Sequence, residues 1–158
     1  MNARYFMIGY NPYLCYYESH TEYIIVREVT NIFEHIEGEF VTEIVLSNDT
    51  IIERDNYGNI KLVPDTGATA KNTLKLSNID TIKYLINLGA DIHAREDNLI
   101  NWAAVHGYLN IVRLLIELGS NIHNQMDYPI RISVDRGHFE IVKLLIEFGA
   151  NIRVPARR

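Results

Sequence analysis

The stretch Asn110–Asn124 reads NIVRLLIELGSNIHN, and closely similar sequences lie on either side of it. Residues 81–93 read TIKYLINLGADIH, and residues 140–153 read EIVKLLIEFGANIR. Equivalent positions in the three copies are thirty residues apart, and the agreement extends over many columns. A fixed period of this kind is typical of proteins built from stacked structural repeats.

Each copy has the pattern of an amphipathic helix followed by a glycine. In the central copy, Ile111, Val112 and Leu115 recur at helical spacing, while Arg113 lies on the opposite side. Gly119 follows where a helix needs a residue in the left-handed conformation to satisfy its last carbonyl groups. The sequence therefore predicts a helix that ends at this glycine in each copy.

A second, shorter helix is predicted before each long one. It covers residues 99–105 in the second copy and 129–135 in the third. In the first copy we expect it at Ala70–Leu76, with Ser77 in place of the glycine. Two short antiparallel helices cannot bury their own apolar side, so neighbouring copies must stack to close a core.

These residues resemble ankyrin repeats. Residues 98–112 resemble the family pattern TPLHxAAxxGHxEIV, and residues 135–145 match its second half closely. The resemblance covers about residues 70–153, and the shortened period resembles the ankyrin proteins of giant DNA viruses. It implies an α+β chain whose C-terminal part, residues 67–158, is an all-α solenoid of three helix-turn-helix repeats. The repeats are expected at about 67–93, 94–123 and 124–153.

Two departures from the family pattern bear on the contacts between repeats. The usual period is 33 residues, so a period of 30 shortens the connection between successive units. The histidine of the TPLH box is replaced by Asn101 in the second copy and by Arg131 in the third. We therefore expect the hydrogen bonds between repeats to differ from the usual ones.

Residues 1–66 have a different composition and are predicted to form a small mixed, strand-rich module. A short helix is expected at Asn31–Ile36. Residues 30–46 resemble the module that precedes the repeats in the same viral proteins. Because the end units of a stack expose apolar faces, we expect this module to cap the first repeat. Short runs of β-branched and aromatic residues predict strands at residues 5–10, 23–26, 41–46, 50–52 and 60–63.

Composition and charge narrow the classes of function. The 158 residues have a net charge of −5, and residues 1–70 carry 4 basic against 11 acidic side chains. This balance disfavours nucleic-acid and anionic-membrane binding, which need concentrated positive charge. Cys15 is the one cysteine, so no internal disulfide can form, and a reducing compartment, such as the host cytoplasm, is expected.

The sequence lacks the common motifs that indicate catalysis, cofactor binding or metal binding. The chain has no phosphate-binding loop, dinucleotide fingerprint or zinc-binding motif, so no cofactor and no metal are expected. His93 and His123 recur at one repeat position and are interpreted as structural or solvent-facing residues. An enzymatic alternative would require Cys15, His20 or His35 to meet a carboxylate in the N-terminal module. Trp102 is interpreted as a core residue between layers.

The family resemblance implies a non-enzymatic protein–protein interaction scaffold. In ankyrin proteins, partners bind the concave face lined by the short helices and the tips of the connections. An alternative is an adaptor whose N-terminal module recruits cellular machinery while the repeats select the target. Self-association through the last repeat is a further alternative, in which Ile132 and Ile141 are exposed and contact a second molecule. The candidate protein-binding residues are Lys75, Leu76, Arg95, Glu96, Asp97, Val105, His106, Asn124, Gln125, Asp127, Asp135 and Arg136.

Overall fold

The computed structural model describes residues 5–9, 24–34, 36, 38–47, 52–54, 60–62 and 69–152. By its internal contacts the chain divides into two compact units, Met1–Asp91 and Ile92–Arg158. The division expected after residue 66 stays a prediction. Within the described ranges, the structure contains no helix whose length and apolar character would let it cross a membrane.

The first unit contains an antiparallel sheet of six strands. The strand order across the sheet is β4-β5-β2-β1-β3-β6. Each of the five ranges predicted as a strand overlaps a strand of this sheet. Where a short helix was predicted at Asn31–Ile36, a 3-10 helix covers Val29–Asn31 instead. The strands are β1 (Tyr5–Gly9), β2 (Ile24–Glu28), β3 (Phe40–Val45), β4 (Ile52–Arg54), β5 (Ile60–Leu62) and β6 (Thr69–Lys75).

The prediction of a short helix at Ala70–Leu76 is wrong, because this segment forms strand β6. It pairs antiparallel with β3, so that Val41 lies opposite Leu74. The hydroxyl groups of Thr42 and Thr73 lie 2.9 Å apart across the two strands. Pairing with a strand about thirty residues earlier therefore overrides the local helical pattern, as tertiary contacts commonly do.

Helix α1 (Ile79–Asn87) follows β6 and belongs to the same compact unit. The Asn78 side chain caps its first turn by accepting a hydrogen bond from the Asp80 backbone N–H at 2.9 Å. After the helix, the backbone N–H of Asp91 donates to the carbonyl of Thr30 at 3.1 Å. Helix α1, the long helix of the first copy, is therefore built together with the sheet.

The second unit consists of two helical hairpins that pack side by side. The first hairpin is α2 (Ala94–His106) and α3 (Leu109–Glu117), and the second is α4 (Asn124–Asp135) and α5 (Phe139–Glu147). Helix α2 packs against α3 and α4, and α5 packs against α4 and α3. The predicted helices of the second and third copies are confirmed. Side chains that fill the core between the helices include Leu99, Ile100, Ala103, Ile111, Leu115, Ile130 and Leu145.

Two sequence predictions about single residues are confirmed in this unit. Gly119 ends α3 in the left-handed region with φ 91°, and its N–H donates to the carbonyl of Ile116 at 3.0 Å. Trp102 is 7% exposed, so it is a core residue of α2. Gly119 therefore ends the long helix, and Trp102 fills space between the helices.

Candidate functional site

The connection between successive copies is a tight left-handed turn. Arg95, Glu96 and Asp97, at the start of the range given for α2, are not helical: all three have positive φ angles between 51° and 60°, although none of them is glycine. The third copy repeats the turn at residues 125–127, with φ between 46° and 60°. Each such residue with a side chain costs roughly 1–2 kcal/mol, so the surrounding structure must hold the turn in place.

A hydrogen bond between a histidine and an aspartate side chain closes each turn. His93 Nδ1 donates to Asp97 Oδ1 at 2.9 Å, and His123 Nδ1 donates to Asp127 Oδ1 at 2.5 Å. The backbone N–H of each aspartate also donates to the carbonyl of its histidine at 3.3 Å. The recurring histidines are therefore structural, as expected. The tight turn that each of them helps to close is the short connection that a period of 30 residues requires.

Asn124 links the two turns. Its Nδ2 donates to the carbonyl of Glu96 at 2.9 Å and lies 3.4 Å from the carbonyl of Asp97. The side chain is buried, so it acts within the protein rather than on its surface. Arg131, which replaces the family histidine, donates from its guanidinium to the carbonyl of Gln125 at 3.1 Å. The hydrogen bonds at the turns thus come from residues other than the usual histidine, as the sequence predicted.

A second link joins the far ends of the hairpins. His138 Nε2 donates to the carbonyl of Val105 at 3.1 Å, across the junction between copies. The imidazole ring lies so close to Gly107 that a Cβ atom there would be 2.8 Å from His138 Cε1. Gly107 also has φ 75°, which favours glycine. The two residues therefore hold the end of α2 against the turn between α4 and α5.

An aromatic cluster occupies the end of α2. The ring of Trp102 lies 5.0 Å from that of His106 and 5.2 Å from that of Tyr108. His106 stacks on Tyr108 with ring centres 5.6 Å apart, and its Nδ1 donates to the Trp102 carbonyl at 2.9 Å. His106 nevertheless remains exposed. A histidine held in one orientation with an accessible edge is suited to contact a partner at low entropic cost.

The candidate residues divide into exposed and buried groups. Leu76, Asp97 and Asn124 are buried, so their side chains are not displayed to a partner. Lys75 and Leu76 lie at the end of β6 instead of on a short helix, which corrects their expected place in the groove. Val105 and Asp127 are partly exposed. The exposed candidates are Lys75, Arg95, Glu96, His106, Gln125, Asp135 and Arg136.

We call one set of residues the repeat surface: Arg95, Glu96, Gln125 and Met126 on the turns, with Val105, His106, Asp135 and Arg136 at the helix ends. Met126 was missed by the sequence reasoning, and it is 82% exposed at the tip of the second turn. No periodic pattern could have found it, because Glu96 occupies the equivalent column. A large apolar side chain on a strained turn is a stronger candidate contact than its polar neighbours.

The apolar residues exposed at the last repeat also differ from those expected. Ile141 is buried because it faces the other helices, and Ile132 is only partly exposed. Phe139, which is 68% exposed, and Phe148 lie on the surface instead. On the same helix, Lys143 Nζ donates to Glu140 at 2.7 Å, and this hydrogen bond raises the pKa of the Lys143 amine.

Over the described ranges, no cluster of three or more histidine, cysteine, aspartate or glutamate side chains is arranged to hold a metal ion. Cys15, His20 and His35, on which the enzymatic alternative depends, lie outside the described residues. That alternative therefore stays a prediction.

Comparison with known proteins agrees with the geometry. The family model described as ankyrin repeats (three copies) matches residues 70–156, which is more than half of the chain. An ankyrin repeat protein of Acanthamoeba polyphaga mimivirus is 46% identical over 41 residues, a segment that is 26% of this chain and 13% of that protein. The chain thus matches a small part of its longer viral relative. No solved structure matches. The chain belongs to the ankyrin repeat family and resembles the ankyrin repeat proteins of giant viruses.

Proposed function

We propose that this chain is a non-enzymatic scaffold that binds a partner protein of the host cell through the repeat surface. Ankyrin repeats generally mediate protein–protein interaction and typically have no enzymatic activity. The proposal includes a solenoid arrangement of the repeats and an intracellular place of action, which the single cysteine favours.

The main support for the proposal is that the exposed residues lie on helical hairpins joined by hydrogen bonds at both ends. Asn124 ties the second turn to the first, and His138, which precedes α5, ties the turn between α4 and α5 to the end of α2. Exposed side chains on the same helices therefore keep constant separations, which lowers the entropy lost when a partner binds. Few residues dominate most protein interfaces, and Met126 and His106 are the best candidates here.

The composition of the repeat surface indicates the chemistry of the partner. It carries the apolar side chain of Met126 and the charged side chains of Arg95 and Glu96 on the turns, with Asp135 and Arg136 at the helix ends. A partner with an apolar pocket for methionine and charges of both signs at its rim would fit this pattern. With two hairpins exposed, the contact is expected near the lower end of specific interfaces, about 1,200 Å² in total.

Site-specific photocrosslinking tests the proposal. A photoreactive amino acid is placed at Met126 in the full chain, and a matched control carries it at Arg113, which is exposed on α3 outside the repeat surface. We expect a discrete covalent adduct with one host protein from position 126 and none from position 113. Identical adducts from both positions, or none from either, would refute binding through the repeat surface.

A second candidate function, the adaptor, is favoured by the division of the chain into two compact units. In this proposal the first unit recruits cellular machinery while the repeats select the target. A photoreactive amino acid at the exposed Glu53 would then capture a protein different from the one captured at Met126. Capture of one protein at both positions would contradict the adaptor and leave the simple scaffold.

We also propose self-association through Phe139 and Phe148 at the last repeat. Two exposed phenylalanines on one helix and its end offer apolar area that a second molecule could cover. Sedimentation velocity over a hundredfold range of concentration would show a rising sedimentation coefficient, which Phe139→Ser together with Phe148→Ser would abolish. A constant coefficient for the unmodified chain would end this proposal.

A further inference from the structure

Strand β6 forms an accessible edge of the sheet in the first unit. Among the described strands it pairs with β3 and stands last in the strand order. Six of its seven residues are exposed, and Leu74 is partly exposed. An exposed edge strand offers backbone N–H and C=O groups that another strand can pair with.

The hydrogen-bond register shows which backbone groups face outward. The N–H of Leu76 donates to the carbonyl of Glu39 at 2.8 Å, so these two residues form a hydrogen-bonded pair just beyond the strands. Because such pairs alternate along an antiparallel ladder, Thr73 and Lys75 are in non-hydrogen-bonded pairs with β3. Their N–H and C=O groups therefore point away from β3, toward the open edge. The close contact between the Thr42 and Thr73 hydroxyls, 2.9 Å, agrees with a non-hydrogen-bonded pair.

The charge of strand β6 is opposite in sign to the net charge of residues 1–91. Residues 1–91 carry 13 acidic and 7 basic side chains, yet β6 contains Lys71 and Lys75 and no acidic residue. The acidic residues nearest in register are Glu43, which is buried opposite Asn72, and Glu39, across from Leu76. The Lys75 ammonium lies 5.8 Å from the centre of the Phe40 ring, beside the edge.

The lysines also indicate which strand would pair here. A second copy of β6 would bring lysine against lysine, and like charges on paired strands are destabilising. A strand with acidic side chains would instead form opposite-charge pairs, each contributing roughly 0.2–1 kcal/mol. Lysines on an edge strand commonly prevent pairing with strands of other molecules. They would not prevent pairing with an acidic strand, because the charges would then attract each other.

We propose that β6 is a docking edge for an extended acidic segment of a partner protein, which adds a seventh strand beside Thr73 and Lys75. Backbone hydrogen bonds supply the affinity, and Lys71 and Lys75 select for negative charge. This edge shares no residue with the repeat surface, and the proposal does not depend on the function proposed for that surface. It would give the first unit a binding activity of its own.

The test uses the full chain and a fluorescent seven-residue peptide of alternating glutamate and valine, blocked at both ends. Fluorescence anisotropy should show saturable binding that weakens as salt is raised. A peptide with lysine in place of glutamate should bind at least about tenfold more weakly. Thr73→Pro removes an outward N–H and should weaken binding of the acidic peptide about tenfold, whereas Thr73→Ala keeps the N–H and should change it by less than about threefold.

Two further variants test the proposal without proline, which could disturb the fold at position 73. Exchanging both Lys71 and Lys75 for glutamate should reverse the preference, so that the lysine peptide binds more tightly than the glutamate peptide. Replacing His106 and Met126 by alanine should leave peptide binding unchanged, which separates this edge from the repeat surface. The proposal is overturned if the acidic peptide shows no saturable binding, if Thr73→Pro and Thr73→Ala bind it equally, or if charge reversal leaves the preference as it was.

Discussion

Asn124 Nδ2 donates a hydrogen bond to the backbone carbonyl of Glu96, 28 residues earlier, at 2.9 Å. The equivalent position in the preceding copy is Ala94, so this bond belongs to the junction between the second and third copies. Because the Asn124 side chain is buried, water does not replace the bond easily. The bond therefore holds one exposed turn in register with the next.

Asn124→Ala should destabilise the repeat unit by about 1–2 kcal/mol, because the change removes a buried hydrogen bond between copies. Alanine already occupies the equivalent position 94, so the substitution introduces no steric clash. Urea unfolding followed through the fluorescence of Trp102, the one tryptophan, measures the loss. The control Asn110→Ala changes an exposed residue of α3 and should cost less than about 0.5 kcal/mol. Equal midpoints for the two variants would show that the turns are held by other contacts.

Gly107→Ala should destabilise the protein more than Gly137→Ala, although both glycines have φ 75°. The backbone strain is the same at both positions, but only at Gly107 would the new Cβ meet the His138 ring. The clash should add at least about 1 kcal/mol. Thermal unfolding measures the difference, and removal of the ring by His138→Ala should reduce it. If both glycine variants unfold at the same temperature, the close packing of His138 on Gly107 is incorrect.

Met126→Gly should give a more stable protein than Met126→Ala. The residue has φ 60°, and its side chain is 82% exposed, so neither substitution removes a packed group. Glycine relieves the left-handed strain, although its greater freedom in the unfolded chain offsets part of the gain. The expected net difference is about 0.5–1 kcal/mol, measured by the same urea unfolding. A higher stability for the alanine variant would argue against a left-handed turn.

Charge substitutions at the exposed pair of Lys143 and Glu140 should have little effect on stability. The hydrogen bond to Glu140 raises the pKa of the Lys143 amine, so the pair would be lost only as pH rises through that raised pKa. Both side chains are well exposed, and solvent screens their attraction. Lys143→Gln should therefore leave the midpoint of urea unfolding at pH 7 unchanged within error. A clear loss of stability would indicate that this helix face is covered in solution.

The sequence predicted the parts of the fold that depend on local periodicity. The helices around Leu115 and Leu145 and the glycines after them follow from columns thirty residues apart. Strand β6 could not be predicted in this way, because its conformation depends on β3, a distant partner. The residues of the shortened connections were identified from the sequence, but the histidine–aspartate hydrogen bonds that hold them were missed. Asp97 and Asp127 share a column just as His93 and His123 do, and this second column was the available signal.

The candidate surface was predicted only in part, for a related reason. Family position correctly indicated that His106 and Arg136 are exposed, because the column they share faces outward in the second and third copies, although Leu76, its member in the first copy, is buried. Family position wrongly indicated that Asp97 and Asn124 are exposed. Both polar side chains are buried, where they form hydrogen bonds that hold the turns. Polarity alone cannot separate a residue that binds a partner from one that satisfies buried backbone groups.

The most direct test of partner binding measures the affinity of the crosslinked host protein for two matched sets of alanine variants. One set changes Glu96, His106, Met126 and Arg136 on the repeat surface, and the other changes Arg113, Glu117, Lys143 and Glu147, which are exposed on α3 and α5. We predict that the first set raises Kd at least about tenfold, a loss of about 1.4 kcal/mol, while the second leaves it within about twofold. Equal effects of the two sets, or an unchanged Kd for the first, would contradict binding through the repeat surface.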